Sequence, residues 1–245
     1  MLERKYMMNN RIALVTGASS GIGEAICKAM IDENITVYGV GRNFSNTDSK
    51  LISSQLFHKI EFDFNNINSL EECLKMIPVK DISILINNAG SAYYGLHQDI
   101  SERAITEMIN VDLTIPMLLT RHFIKPLQEH KGIIINIASV AGLQSSPHGA
   151  AYGAIKAGLI HFSESIFAEN RKHGVKVTTI LPDMTDTNLY RNADFTCSLE
   201  EGCYLNPQDV ADAVIYAVNL REGMTVTNMV LKPQYHRIQR KTSLK

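Results

Sequence analysis

Short apolar runs alternate along the chain with longer stretches in which apolar residues recur every three or four positions. The short runs are typical of strands covered on both faces, and the longer stretches are typical of helices with one buried face. The predicted strands span residues 11–16, 35–40, 58–62, 82–87, 132–138, 175–181 and 226–231. The predicted helices span residues 21–33, 67–77, 99–129, 149–173 and 207–220. This alternation predicts an α/β fold, with a doubly wound, mostly parallel, seven-stranded sheet in a single domain.

Three regions depart from this regular pattern. The longest predicted helix, 99–129, contains Pro116, which has no backbone N–H and is expected to kink the helix locally. The segment 184–206 has no clear periodicity and several turn-forming residues, which is typical of a long connection that acts as a lid. The tail 233–245 is basic and polar, and we expect it to be partly disordered.

The composition is that of an ordinary globular protein. The chain has 245 residues, of which 45% are apolar, and a formal net charge of −1. This balance gives no electrostatic support for binding nucleic acid or an anionic membrane. The N-terminus lacks the apolar core of a signal peptide, and no apolar run approaches the ~18 residues of a membrane span. We therefore expect neither a nucleic-acid nor a membrane partner.

The cysteines and histidines are candidate redox or metal-binding groups. The four cysteines show no C-x-x-C spacing, which indicates free thiols in a reducing compartment and hence a cytoplasmic protein. The eight histidines are scattered, and we expect no metal. A site built from His97, His122 and His148 stays open as an alternative to three structural histidines.

A glycine-rich turn lies between the first predicted strand and the first predicted helix. Gly17, Gly21 and Gly23 allow a sharp turn and a close approach of the backbone to a pyrophosphate. The N–H groups at the start of the helix favour an anion, and Ser19 and Ser20 add hydroxyl donors. The alternative is a tight strand–helix connection that binds no ligand.

A second group of polar residues suggests proton transfer. Tyr152 and Lys156 are four residues apart, and Ser139 lies 13 residues before Tyr152. On a helix this spacing puts the phenol and the ammonium on one face, and a nearby cation lowers the pKa of a phenol from about 10. The hydroxyl of Ser139 could hold a carbonyl oxygen against the phenol. A Tyr and a Lys at this spacing also occur by chance without a catalytic role.

Several motifs together resemble the short-chain dehydrogenase/reductase family. Residues 16–23 match its TGxxxGxG turn, and residues 87–90 match its NNAG element. Four further residues match its catalytic tetrad in order and spacing: Asn110, Ser139, Tyr152 and Lys156. The resemblance runs from about residue 11 to 231 and implies a Rossmann-type catalytic domain at 11–232, between an N-terminal extension at 1–10 and the tail.

The resemblance also implies which residues bind the cofactor. The implied set is Gly17, Ser19, Ser20, Gly21, Ile22, Gly23, Asp63, Asn87, Ala89, Gly90, Lys156 and Thr187. Asp63 is expected near the adenine, with a helix N-cap as the alternative. Asn110 is expected to hold a water that links Lys156 to solvent, with a helix kink or a core asparagine as the alternative. Lys156 is expected to hold the ribose hydroxyls and to lower the Tyr152 pKa.

Arg42 follows the second predicted strand, where a carboxylate would favour NAD and a cation would favour the 2′-phosphate of NADP. No acid occupies position 41, so we predict NADP. A solvated loop arginine is the alternative, and Ser20 stands where some NADP-preferring relatives carry a base. Asp183 replaces a glycine of the family pattern at a position expected to need a positive φ, which makes the contact by Thr187 less secure.

The predicted function is the transfer of a hydride between NADP(H) and a small or medium, largely uncharged carbonyl or alcohol. The candidate pocket residues are mixed apolar and aromatic: Ser91, Tyr93, Tyr94, Val140, Leu143, Gln144, His148, Met184, Leu189, Tyr190 and Phe195. A non-catalytic NADP-binding regulator and an isomerase or epimerase are the alternatives. Apolar stripes on the predicted helices 99–129 and 149–173 suggest a homodimer or homotetramer.

Overall fold

The computed structural model describes residues 11–241. Its strands are β1 (Ile12–Thr16), β2 (Thr36–Gly41), β3 (Phe57–Glu61), β4 (Ile82–Asn87), β5 (Ile133–Ile137), β6 (Lys176–Pro182), β7 (Phe195–Cys197), β8 (Asn228–Leu231) and β9 (Ile238–Arg240). Its α-helices are α1 (Gly21–Asp32), α2 (Ser49–Ile52), α3 (Leu70–Leu74), α4 (Glu102–Ile109), α5 (Ile115–Glu129), α6 (Ala150–Asn170) and α7 (Pro207–Val218). The N-terminal extension predicted at 1–10 lies outside the described residues.

The main sheet has seven strands in the order β3-β2-β1-β4-β5-β6-β8, and every pair is parallel. The predicted doubly wound sheet is confirmed. The strand order reverses between β1 and β4, because the chain builds outward from β1 to β3 and then returns to the other side. Ligands of such sheets bind outside the carboxyl ends of the strands at this switch point.

The sheet is buried on both faces because its strands are apolar at successive positions. Val15 of β1 and Ile86 of β4 belong to a core beneath α1 and α7. Leu14 and Leu85 point to the opposite face, where Phe123 of α5 is fully buried. The two cores hold the carboxyl ends of β1, β4 and β5 side by side, and these ends carry the polar motifs.

The predicted helix 99–129 is interrupted. Helix α4 ends at Ile109, a π-helical turn spans Asn110–Thr114, and α5 starts at Ile115. Pro116 cannot donate to the carbonyl of Asp112, so the regular hydrogen-bond series is broken directly before the proline. The irregularity is therefore a π turn upstream of the predicted kink, and such turns often occur at functional sites.

The C-terminal tail contributes a strand that the sequence did not predict. Strand β9 pairs antiparallel with β7, which belongs to the segment predicted to be a lid. The side chain of Lys241 donates to the carbonyl of Tyr190 at 2.6 Å. Local composition does not indicate this short strand, because its partner strand lies about 40 residues away in the chain.

Candidate active site

The glycine turn is packed so closely that side chains are excluded. Gly17 has φ +68°, and a Cβ atom there would lie 2.9 Å from Ala89 Cα. A Cβ atom on Gly23 would lie 2.0 Å from the carbonyl oxygen of Gly17. Below the turn, Asn88 Nδ2 donates to the carbonyls of Thr16 at 2.9 Å and Gly17 at 3.3 Å. The β1–α1 connection is thus fixed against the end of β4.

The start of α1 offers backbone donors to the cleft. Ser20 is the N-cap residue, and its side chain makes no capping hydrogen bond. The first-turn N–H groups are therefore not occupied by a side-chain cap, and they carry the positive end of the helix dipole. Across the cleft, Thr187 Cγ2 would lie 3.2 Å from a Cβ atom on Gly21, which has φ +56°. This cradle fits the pyrophosphate of a dinucleotide.

Most of the residues predicted for the site come together in one cleft at the switch point. The predicted residues that line it are Gly17, Ser19, Ser20, Gly21, Ile22, Gly23, Arg42, Asp63, Ala89, Gly90, Ser139, Tyr152, Lys156 and Thr187. Asn87 and Asn110 do not line it.

Asn87 is a core residue rather than a cleft residue. It is 3% exposed, and its Nδ2 donates to Asn136 Oδ1 on β5 at 2.7 Å. Asn136 Nδ2 in turn donates to Ser163 Oγ on α6 at 2.7 Å. The side chain of Asn87 therefore joins β4 to β5 and does not line the cleft, and Asn136 continues the hydrogen bonds to α6. The contact of Asn87 with a cofactor stays a prediction. The next residue, Asn88, faces the cleft instead.

The far end of the cleft contains Arg42 and Asp63. Arg42 is exposed and lines the cleft directly after β2. A side chain at Gly41 would place its Cβ 2.8 Å from Ser19 Oγ, so position 41 has no room for a carboxylate. The Asp63 carboxylate accepts a hydrogen bond from Asn65 N at 3.0 Å. Asp63 is thus a turn residue in the cleft and not the helix N-cap considered as an alternative.

The predicted proton-transfer residues lie together at the ends of β5 and α6. Tyr152 and Lys156 are each 3% exposed. Lys156 Nζ lies 5.6 Å from the centre of the Tyr152 ring and donates to the carbonyl of Ile137 at 3.0 Å. Ser139 follows β5 and accepts from Ala141 N at 3.2 Å.

The pKa of the Tyr152 phenol is raised well above its usual value, mainly by burial and then by Tyr94 and Asp112. Hydrogen bonding to Ser139 acts in the opposite direction. The net shift is therefore upward, and Lys156, which we expected from the sequence to lower this pKa, is not among the groups that shift it. Burial disfavours the phenolate, and the neighbouring carboxylate adds to this effect.

That carboxylate, Asp112, is the main site residue that the sequence did not reveal. It is completely buried in the π turn, and its Oδ1 lies 3.0 Å from Lys156 Nζ. Its Oδ2 accepts from Ser91 N at 2.8 Å. Asn110, predicted as catalytic, is half-buried, and its carbonyl accepts from Ile115 N in the π turn. Two residues along a helical turn point to different sides, so Asp112 and not Asn110 faces Lys156.

The substrate side of the cleft is aromatic, with one carboxylate. The ring of Tyr94 lies 5.6 Å from that of Tyr152 and 5.0 Å from that of Phe195. Glu107 lines the cleft and accepts from Ser91 Oγ at 2.8 Å and Tyr93 OH at 2.9 Å. The predicted pocket residues that line the cleft are Ser91, Tyr94, Leu189 and Tyr190, and Arg191 lines it as well.

Asp183 does not strain the backbone, because it is not among the residues with positive φ. Its Oδ1 accepts from Met184 N at 2.8 Å, and its Oδ2 lies 3.8 Å from His236 Nδ1. The residue therefore starts the lid and contacts the tail without needing the left-handed conformation that a glycine would supply.

Residues 11–241 form neither a metal site nor a membrane-spanning helix. Within this range no three His, Cys, Asp or Glu side chains are grouped for a metal ion, so the alternative site of His97, His122 and His148 is not formed. None of the helices described combines the length and the apolar character that crossing a membrane requires. The four cysteines are free and buried.

Comparison with known proteins identifies the family. The model of the short chain dehydrogenase family matches residues 11–196. The chain therefore belongs to the short-chain dehydrogenase/reductase family, which confirms the resemblance read from its motifs.

Individual relatives cover nearly the whole chain. An uncharacterized oxidoreductase of Staphylococcus epidermidis is 31% identical over 92% of this chain and 98% of its own length. A serine 3-dehydrogenase of Agrobacterium fabrum is 30% identical over 90% of this chain and 92% of its own.

Solved structures resemble this one over a similar span. A 4-hydroxyisoleucine dehydrogenase complexed with NADH has a TM-score of 0.79 at 27% identity, covering 91% of this chain and 98% of its own. A closed form of serine dehydrogenase complexed with NADP+ has a TM-score of 0.77 at 27% identity, covering 91% of this chain and 94% of its own.

Proposed function

We propose that the protein is an NADP(H)-dependent oxidoreductase that interconverts a small or medium alcohol and its carbonyl compound. The observation that carries this proposal is the placement of Tyr152 and Lys156. Both side chains are buried at the end of the cleft whose other end is formed by the glycine turn. A phenol beside an ammonium at a dinucleotide cradle is suited to proton transfer coupled to a redox step.

Tyr152 and Ser139 would have different roles in the reaction. The bound nicotinamide ring supplies or accepts the hydride. In reduction Tyr152 donates its proton to the carbonyl oxygen, and its raised pKa keeps the phenol protonated at neutral pH. Ser139 donates a hydrogen bond to the same oxygen and positions it. In oxidation the phenolate accepts the proton, so this direction is favoured as the pH rises.

The preference for NADP rests on the adenosine end of the cleft. Arg42 supplies a cation where a 2′-phosphate would lie, and Gly41 leaves no room for the carboxylate that would bind a free 2′-hydroxyl. Among the similar structures, one is complexed with NADP+ and another with NADH. The preference for NADP is therefore inferred from Arg42 and Gly41 of this chain.

The test is the oxidation of NADPH in the presence of a panel of ketones and aldehydes, with NADH in parallel. We expect consumption of NADPH that depends on the carbonyl compound and a higher kcat/KM than with NADH. Tight NADPH binding without turnover on any member of the panel would instead favour the alternative, a non-catalytic regulatory protein.

A zwitterionic hydroxy acid is a second candidate substrate, because Glu107 and Arg191 place opposite charges along the cleft. A carboxylate can bind an ammonium group, and an arginine can bind a carboxylate. The serine 3-dehydrogenase relative is consistent with such a substrate. Comparing the oxidation of serine with that of an uncharged alcohol of similar size separates the two candidates. Glu107→Gln should selectively weaken use of the amino acid.

We also propose that the protein is a cytoplasmic homodimer or homotetramer. Ile109 and Met117 are partly exposed on α4 and α5, at 40% and 37%, which supports burial against a second copy. Light scattering on the purified protein tests this, and a monomer at micromolar concentration would contradict it.

A further inference from the structure

A buried ion pair stands behind the proposed proton-transfer residues. The side chains of Lys156 and Asp112 are 4% and 0% exposed, and Nζ lies 3.0 Å from Oδ1. The other carboxylate oxygen accepts from Ser91 N at 2.8 Å. A Cβ atom on Gly90 would lie 3.1 Å from Asp112 Oδ1, so a side chain at position 90 would push the carboxylate slightly away from this place.

The pair determines where the ammonium can lie. A buried ammonium without a partner is strongly disfavoured, and a carboxylate at this distance compensates it. An ammonium has three donors. The hydrogen bond to the Ile137 carbonyl and the ion pair to Asp112 account for two of them, and the third is left for the cleft. Burial raises the pKa of Asp112, while the Lys156 ammonium and the Ser91 N–H act in the opposite direction and favour its ionised form.

We propose that Asp112 is a positioning residue that fixes the Lys156 ammonium and offsets its charge at Tyr152. This inference rests on the proposed function and adds a carboxylate to the residues assumed to control proton transfer. Lys156 then serves mainly as an oriented donor toward the cleft. With its charge offset, it favours the Tyr152 phenolate less than an unpaired ammonium would.

The charge offset has a consequence for pH dependence. The titratable and polar groups that act on the Tyr152 phenol are Tyr94, Asp112, Tyr190 and Ser139, and Glu107 also acts on Asp112. Replacing Asp112 by asparagine removes the negative charge and keeps an oxygen that can accept from Ser91 N. The Lys156 charge is then uncompensated at Tyr152, and the phenolate is favoured.

The experiment is a pH titration of tyrosinate absorbance for the wild type and Asp112→Asn. Each spectrum is corrected by subtracting the same protein with Tyr152→Phe, so that only Tyr152 contributes. We expect the phenol of Asp112→Asn to titrate about one pH unit or more below that of the wild type. An unchanged or higher value would overturn the proposal. Because the titration needs no turnover, a failure of the proposed function is seen separately, in the carbonyl panel.

Two further variants control for a merely structural effect. Ser163→Ala removes a buried hydroxyl that bonds Asn136 on the far side of β5, and it should lower stability without moving the Tyr152 titration. If Asp112→Asn does not fold, the double variant Asp112→Asn/Lys156→Gln removes both charges. Recovery of folding in the double variant supports the ion pair, and a double variant as unstable as Asp112→Asn contradicts it.

Discussion

The two ends of the cleft are held by different forces. The glycine turn is held by backbone packing and by the amide of Asn88, and its closest contacts leave no space for a Cβ atom. The proposed catalytic corner, which contains Tyr152, is held by a buried ion pair between Asp112 and Lys156 and by neighbouring aromatic rings. Cofactor binding at the glycine turn should therefore be sensitive to added side-chain volume. Activity at the proposed catalytic corner should be sensitive to an altered charge or to a lost hydroxyl.

The largest effect is expected at the catalytic corner. Tyr152→Phe removes one oxygen from a ring that stays packed against Tyr94, so the fold should persist. Loss of the proton donor should lower kcat by about 10²–10⁴-fold. NADPH affinity, measured by calorimetry, should change little, and a parallel loss of affinity would show that the variant disturbs the glycine turn as well.

Added side-chain volume in the glycine turn should lower stability and weaken NADPH binding. Gly23→Ala places a Cβ atom 2.0 Å from the Gly17 carbonyl oxygen, so the turn must open. We expect unfolding free energy to fall by about 1–3 kcal/mol and NADPH binding to weaken. Gly158→Ala on α6 is the matched control, since its nearest contact would be an ordinary 3.5 Å to Leu113. If both variants bind NADPH like the wild type, close packing does not hold this end.

The positive charge of Arg42 should affect the affinity of the cleft for NADPH. Arg42 is exposed, so Arg42→Ala should not alter the fold. Loss of a charge-assisted contact with the 2′-phosphate should raise KM for NADPH by about 10- to 100-fold, because such contacts contribute ~1.5–3 kcal/mol. KM for NADH should be almost unchanged. Equal changes for the two cofactors would argue that Arg42 is only a solvated loop residue.

The smallest effect is expected at the lid. Deleting residues 233–245 removes β9 from β7 and the contact from Lys241 to the Tyr190 carbonyl. Each lost hydrogen bond contributes about 0.5–1.5 kcal/mol, so a looser lid should raise substrate KM by roughly two- to fivefold. The melting temperature should change little because the main cores are untouched. A truncated protein with unchanged KM would exclude a role for the β7–β9 pair in substrate binding.

The sequence predicted the parts of the site that depend on local structure. The seven strands follow from apolar runs, and the glycine turn follows from residues adjacent in the chain. Asn87 and Asn110 were assigned to the site from sequence motifs, but the orientation of their side chains depends on neighbours in space. Asn136 draws Asn87 into the core, and the π turn before Pro116 brings Asp112 to Lys156 instead of Asn110. Strand β9 was not predicted, because its extended backbone depends on pairing with β7 and not on a pattern in its own sequence.

In the proposed function, this cleft couples hydride transfer to the donation of a proton by Tyr152. The most direct measurement uses NADPH deuterated at the transferable position of the nicotinamide ring together with a carbonyl compound from the panel. Mass spectrometry should find alcohol with deuterium on the carbinol carbon for the wild type. Tyr152→Phe should form almost no labelled alcohol in the same time. An alcohol product without deuterium, or equal labelling by both proteins at equal rates, would contradict the account.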